Sequence, residues 1–204
     1  MIMKSLLFIV AFCGLCFSSA LAQSKKELKT SLSRDLATYQ RVTQRMNYDS
    51  IFYFMPPKMS DIIPADSLAA TMQKAMDNEY MRMEMTGMRY GATPKIKKAG
   101  TYRWAYVDYN AGMNLHVKPN PDTAFTKMFI GMMKTQFGRD NVTEKGNNLL
   151  EIALRDKQLL AFKGANDPHW YFIEDKRQAG QSLQQRAIMD MVVPEEVLKA
   201  TEKK

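Results

Sequence analysis

The sequence predicts an α+β fold, with a long N-terminal helix and short helices packed on a curved antiparallel sheet. Over residues 25–46, apolar side chains recur three and four positions apart, which is typical of an amphipathic helix. Over residues 101–117, apolar and polar residues alternate, which indicates a strand. A further helical pattern at about 121–137 is inserted before more strand patterns and a C-terminal helix. No repeat or linker divides residues 23–204, so we expect a single domain.

Two shorter helical patterns follow the long first helix. An apolar cluster covers residues 51–55 and ends at Pro56, because proline cannot continue a helix. The next helix is expected to begin at Pro64 or Asp66 and to end near Asn78. Together these patterns predict that the N-terminal third of the domain is helical.

The strand patterns begin after residue 80. Met81, Met83 and Met85 alternate with polar residues, so one face of this strand is predicted to be buried. A short strand is expected around Ile96, and a long one over residues 101–117. In the long strand the odd positions are mostly apolar, and we therefore expect the odd face to lie on the core and the even face in solvent.

Gly112 interrupts the polar row of this long strand and predicts a bulge or a bend there. The inserted helix that follows has Pro121 at its first position and ends at Gly138, as helices often do. We expect its buried stripe to consist of Phe125, Met128, Phe129, Met132 and Met133.

The C-terminal third predicts three short strands and a helix. The strands are expected at 149–154, 158–162 and 170–174, with a turn at 155–157 between the first two. A polar helix should then run over about 177–191. This order completes an antiparallel sheet with one inserted helix.

The first 22 residues have the pattern of a secretory signal peptide. Lys4 precedes an apolar run, and small residues end at Ala22, so signal peptidase is expected to cut between Ala22 and Gln23. The apolar run is shorter than the roughly 20 residues that span a bilayer. We therefore expect an exported protein, either periplasmic or secreted.

The two cysteines, Cys13 and Cys16, both lie in this leader, so the processed chain would contain no thiol and no disulfide. Phe12 and Leu15 precede them, and these are not the small residues that lipid attachment requires. The domain is therefore expected to fold without covalent cross-links.

Four segments carry a family resemblance: YDSI at 48–51, YRWAYVDY at 102–109, HWYFIE at 169–174 and PEEV at 194–197. With the element order, they make the chain similar to the nuclear transport factor 2-like, or cystatin-like, superfamily, and especially to uncharacterised exported bacterial members of it. The resemblance implies a cone-like fold in which the long helix faces the curved sheet. It also implies an apolar pocket at one end, or a homodimer formed through the sheet.

The composition is basic, with 29 Lys and Arg against 21 Asp and Glu and a formal net charge of +8. Such a surface favours anionic partners, for example an anionic membrane surface, whereas export argues against nucleic acid. The lysines fall in short, separate clusters at 25–26, 95–98 and 203–204. We interpret these clusters as solvated surface.

Few residues suggest catalysis. Outside the leader the sequence has no cysteine and only two histidines, His116 and His169. We interpret both histidines as structural or exposed. No phosphate loop or nucleophile motif occurs, so no metal or cofactor is expected. The family resemblance suggests one acid/base pair, Asp108 with Tyr106, because ketosteroid isomerase uses an acid and a tyrosine in an apolar cone. The parity of the strand places Asp108 towards solvent, so an isomerase-like enzyme is the alternative rather than the main hypothesis.

Binding is the main hypothesis. Methionine-rich walls adapt to apolar ligands of variable shape, which would suit an apolar-ligand pocket or a periplasmic lipid carrier. The candidate ligand-binding residues are Trp104, Met81, Met83, Met85, Phe125, Met128, Phe129 and Met132. Alternatively, an exposed row formed by Tyr102, Trp104 and Tyr106 would bind a protein partner.

The leader generates the first testable prediction. Protein purified from its native host should begin at Gln23, because the residues before it meet the requirements of signal peptidase. Intact-mass measurement distinguishes the processed chain from the uncut one. A chain that still begins at Met1 would contradict the predicted export.

Overall fold

The computed structural model describes residues 24–119, 123–175 and 183–202, apart from the side chains of 65, 66, 123 and 183–186. The predicted leader, with its cleavage site at Ala22 and Gln23, lies outside the described residues, as does the predicted start of the inserted helix at Pro121. Within them, the α+β prediction is confirmed: seven helices pack on a curved, unclosed, antiparallel sheet of six strands.

The predicted helices and strands occur in the predicted order, except that two predicted strands form a single one, Leu149–Lys163, and that a short helix at Met59–Ile62 and a short strand at Val142–Glu144 were not predicted. The helices are α1 (Lys25–Gln44), α2 (Tyr48–Tyr53), α3 (Met59–Ile62), α4 (Ala65–Met76), α5 (Thr123–Phe137), α6 (Leu183–Val192) and α7 (Glu195–Glu202), with a 3₁₀ turn at Arg139–Asn141. The strands are β1 (Met81–Tyr90), β2 (Lys97–Ala99), β3 (Tyr102–Val117), β4 (Val142–Glu144), β5 (Leu149–Lys163) and β6 (Tyr171–Glu174). The main path of the sheet is β1-β3-β5-β4, with β2 paired to β3 and β6 paired to β5.

Helix α1 begins at a capping box. The Glu27 backbone N–H donates to Ser24 Oγ at 3.1 Å, and the Ser24 N–H donates to the Glu27 carboxylate at 2.7 Å. Leu28, Leu32 and Leu36 form its buried stripe, as their spacing predicts. This stripe places the helix against the sheet.

Two polar contacts fasten α1 to the turn before β6. The backbone N–H of Trp170 donates to Asp35 Oδ2 at 3.0 Å, and its indole N–H donates to Ser31 Oγ at 3.0 Å. Trp170 is fully buried and Asp35 is buried beside it. Because buried donors need partners, these contacts fix the position of α1 on the sheet.

The inner face of the sheet, defined as the face that carries Ala105 and Val107, holds most of the core. Near one end it packs against α1, and near the other against α5. Met85 and Leu154 contact both parts and join them into one layer. The odd positions of β3 therefore face the core as predicted.

The outer face, which carries Trp104, Tyr106 and Asp108, is not solvated along its whole length as we predicted. At one end α6 and α7 cover it and form a second core around Trp104, Leu160 and Phe162. Trp104 is 1% exposed, so the predicted exposed row of Tyr102, Trp104 and Tyr106 is interrupted at its central residue. The prediction failed because β3 and β5 are apolar on both faces there, and both faces must then be covered.

Two bulges shift the register in the middle of the sheet near Gly112, but they lie in the strands that flank β3 and not at Gly112 itself, where we predicted one. One lies in β1 between Met85 and Gly87, and it brings Met88 onto the inner face. The other lies in β5, where Asp156 has a left-handed φ of 53° and its N–H donates to Asn110 Oδ1 at 2.9 Å.

The second bulge corrects the turn predicted at 155–157. The chain does not reverse there, and β5 continues as a single strand, Leu149–Lys163, where we predicted two short ones. Arg155 and Asp156 together oppose the single residue Asn110, which is the two-to-one pairing of a bulge. The polar residues at 155–157 are also typical of a turn, because bulges and turns both favour residues that adopt a left-handed backbone.

The buried stripe predicted for α5 is wrong at two positions. Phe129 and Met133 are buried and Phe125 is partly buried, but Met128 and Met132 are 61% and 52% exposed. The helix therefore has apolar residues on two sides, and only one side reaches the sheet.

Among the described residues no helix combines the length and the apolar character that crossing a membrane would need.

The tie between α1 and Trp170 gives a stability prediction. Asp35→Ala should lower the free energy of unfolding by about 1–3 kcal/mol, because it leaves a buried backbone N–H without an acceptor. Urea denaturation measures the loss. Arg34→Ala is the matched control, since it removes the ion pair between the exposed guanidinium of Arg34 and Asp35 at 3.0 Å and leaves the contact to Trp170 intact. Equal losses in the two variants would contradict this role of Asp35.

Candidate functional site

The predicted acid/base pair lies on the outer face. Asp108 is exposed, and its Oδ1 accepts a hydrogen bond from Gln158 Nε2 at 2.6 Å. Tyr106 packs edge-on against Trp104 with ring centroids 5.4 Å apart. Asp108 therefore points to solvent, as the strand parity predicted, and an apolar enclosure of the isomerase type does not surround it.

The residues of the predicted apolar wall are divided between three places. Met81, Met83 and Met85 are partly buried and pack with Phe125 and Phe129 in the core beneath α5. Trp104 lies in the second core on the opposite face of the sheet, and Met128 and Met132 face solvent. The structure thus brings five of the eight candidates together and separates the other three from them.

A different feature stands out by its charge: a cleft of about 540 Å³ beside the first turns of α1. We call it the basic cleft. It lies between α1, the segment that leads into β2, and the start of β3. The residues that line it are Lys25, Leu28, Lys29, Thr93, Pro94, Lys95, Ile96, Lys97, Lys98 and Arg103.

Six basic residues line this cleft, and none of the described residues that line it is Asp or Glu. Across the described ranges, none of the six forms an ion pair. The first turn of α1 adds the partial positive charge of a helix N-terminus. Like charges that lie close together repel each other, so an anion in the cleft would be stabilised by those that face it.

The cleft also has an apolar floor. Leu28 is buried, and Pro94 and Ile96 are partly buried. The Lys97 ammonium lies instead on the outer face of the sheet, 4.9 Å from the centroid of the Trp104 ring, so this cation is directed away from the floor. An apolar floor beneath a cationic rim suits an amphiphilic anion better than a bare inorganic one.

Sequence reasoning missed this cleft because its two halves lie far apart in the chain. The clusters at 25–26 and 95–98 read as separate solvated surfaces when each is considered alone. Pairing of β2 with β3, and packing of α1 on the same sheet, bring them together. The signal that was available was the lack of acidic residues in both clusters, since Glu27 is taken up by the helix cap.

A buried histidine lies at a second position of interest. The ring of His169 is stacked 4.0 Å from Tyr53 and is met edge-on by Phe54 and Tyr171. It is 6% exposed, and within the described part of the chain neither ring nitrogen has a well-formed hydrogen bond. Of the two roles expected for it, His169 therefore has the structural one, as a core histidine in an aromatic cage.

Burial lowers the pKa of His169 below its ordinary value, because a desolvated imidazolium is unfavourable. The charge of Lys163 acts in the same direction. The backbone of Tyr53 and the carboxylates of Asp35 and Asp167 act against it. His116, the other histidine, is partly exposed and lies 3.8 Å from Glu84.

No protein-family model, curated protein or solved structure matches this chain. The resemblance to the nuclear transport factor 2-like superfamily therefore remains a prediction. Among the described residues no three His, Cys, Asp or Glu side chains are grouped as metal ligands would be.

The buried histidine predicts a pH dependence. Below a pH of about 6.5 the unfolded chain takes up a proton that the folded chain resists, so the free energy of unfolding should fall as the pH decreases. The contribution of His169 cannot exceed about 1.4 kcal/mol per pH unit. His169→Phe should remove it, and His116→Phe, the exposed control, should not. Urea denaturation at pH values from about 5 to 8 measures it, and identical slopes for wild type and His169→Phe would contradict the prediction.

Proposed function

We propose that this protein is a non-catalytic binding protein that holds the anionic group of an amphiphile in the basic cleft. The observation that carries the proposal is a cleft lined by six basic residues, without a lining carboxylate, beside an apolar floor. Phosphate and carboxylate groups are the ligands that such a cluster binds. The proposal takes the chain to be exported, where it would meet the lipids of a membrane surface.

The strength of this interaction is set by the lysines. Each Lys or Arg near an anionic membrane surface contributes about 1 kcal/mol at physiological ionic strength. Several acting together give a useful affinity that falls steeply with added salt. The apolar floor adds a term that depends little on salt, because the burial of acyl carbons is hydrophobic.

The other candidate functions have weaker support. An apolar ligand in the core would have to displace Met81, Met83 and Met85 from their contacts with Phe125 and Phe129. An isomerase-like reaction would need Asp108 in an enclosure that the outer face does not provide. A homodimer through the sheet would have to use the part of the outer face that α6 and α7 leave open.

Charge reversal in the basic cleft tests the proposal. The triple variant Lys25→Glu, Lys29→Glu, Lys95→Glu should abolish sedimentation with vesicles of phosphatidylglycerol and phosphatidylcholine, because it replaces attraction by repulsion. Dissolved glycerophosphate in competition shows whether a free anion occupies the same cleft as the lipid. Circular dichroism confirms that the variant is folded.

The matched control reverses three exposed lysines elsewhere, Lys58, Lys74 and Lys127, and changes the net charge by the same amount. It should keep most of the vesicle binding. Equal losses in the two triple variants would show that only net charge matters and would contradict a specific cleft. Absence of binding by the wild type would contradict the proposal itself.

A further inference from the structure

A row of residues with little or no side chain crosses the part of the outer face that α6 and α7 leave open. Gly87 on β1 is directly opposite Gly112 on β3, which is directly opposite Ala153 on β5. Three adjacent strands therefore present almost bare backbone at the same level of the sheet. We call this feature the sheet trough.

The fold does not require glycine at the first of these positions. Glycine inside a strand lowers stability, and it is usually explained by a left-handed backbone or by a close neighbour. Gly87 has no left-handed φ, and a Cβ built on it would meet nothing within 4 Å. At Gly112 a Cβ would lie 2.5 Å from Thr86 Oγ1, so a side chain there would collide with the rim of the trough.

Two adjoining cavities, of about 450 and 500 Å³, make up the trough. They share Thr86, Ala111, Gly112, Ala153 and Arg155. Unlike the basic cleft, the trough is lined by groups of both charges and by uncharged amides and hydroxyls. The polar residues that line it are Thr86, Arg89, Asn110, Asn114, Asp140, Asn141, Thr143, Glu151, Arg155 and Asp156.

This lining excludes several classes of ligand. An extended peptide binds at the edge of a sheet, where backbone groups are unpaired, but β3 lies in the interior of this sheet between β1 and β5. A polyanion would find no excess of positive charge, because Arg89 and Arg155 are balanced by Asp140 and Asp156, and Glu151 already pairs with Lys145 at 3.1 Å. A purely apolar ligand would leave many polar groups without water or a partner.

We propose that the sheet trough is a carbohydrate-binding site, in which a sugar ring lies flat on the glycine floor. Ring hydroxyls are donors and acceptors at once, and they match a rim of amides, hydroxyls, carboxylates and arginines. Arg89 and Arg155 are exposed and form no ion pair within the described chain, so they are available to a hydroxyl or to a sugar carboxylate. The missing side chain at Gly87, where a Cβ would meet nothing within 4 Å, lets the ring approach the backbone, and Thr86 Oγ1 lies above Gly112 as a hydroxyl that the ring can contact.

Saturation-transfer NMR with the uncharged oligosaccharides cellohexaose, chitohexaose and maltohexaose tests the site. At least one of these oligosaccharides should receive saturation from the wild-type protein, and titration calorimetry then gives its affinity. Gly87→Leu should weaken that affinity by about tenfold or more, because the added side chain fills the trough. Since the space around Gly87 is open to a side chain, this variant should fold, which thermal melting checks.

Gly131→Leu is the matched control. Gly131 lies on α5, away from the trough, and a Cβ there also meets nothing within 4 Å. This variant should bind the oligosaccharide as the wild type does, and so should the charge-reversed variant of the basic cleft. Equal weakening by Gly87→Leu and Gly131→Leu, or absence of binding to all three oligosaccharides, would overturn the proposal.

Discussion

The architecture depends on the apolar character of β3 and β5 at one end of the sheet. There Trp104 and Phe162 project from one face while Ala105 and Ala161 project from the other, and all four are buried. Burial of both faces requires a layer on each side, so α1 covers one and the C-terminal helices cover the other. At the opposite end only the inner face is apolar. A single layer, α5, is sufficient there, and the outer face remains open to solvent.

This uneven cover determines where ligands have access. The sheet trough lies on the part of the outer face that α6 and α7 do not cover. The basic cleft lies between the start of α1 and the segment before β2. Neither site is the apolar pocket between helix and sheet that the sequence suggested. The polar tie from Asp35 to Trp170 keeps α1 in position, and α1 in turn supplies two of the cations of the basic cleft.

Local chemistry explains which elements could be predicted. The leucine spacing in α1, the alternation in β3 and the glycine after α5 act within a few residues, so the sequence reveals them directly. The covering of Trp104 and the position of Lys95 beside Lys25 depend on strand pairing and on helix packing between distant segments. A pattern of alternation shows that one face is buried, but it does not show that a later helix covers the other. The bulge at Asp156 was missed for a related reason, since turns and bulges favour the same residue types.

The two-sided distribution of methionine on α5 has a chemical consequence. A processed chain that begins at Gln23 would contain no cysteine, so its thioethers would be the sulfur atoms open to oxidation. Met128 and Met132 face solvent, whereas Met133 on the same helix is shielded by the sheet. Peroxide would convert the outer pair to sulfoxides first, and these polar groups would stay hydrated where they stand. Helix α5 would thereby take up oxygen at its solvent side while the thioether that contacts the sheet stays reduced.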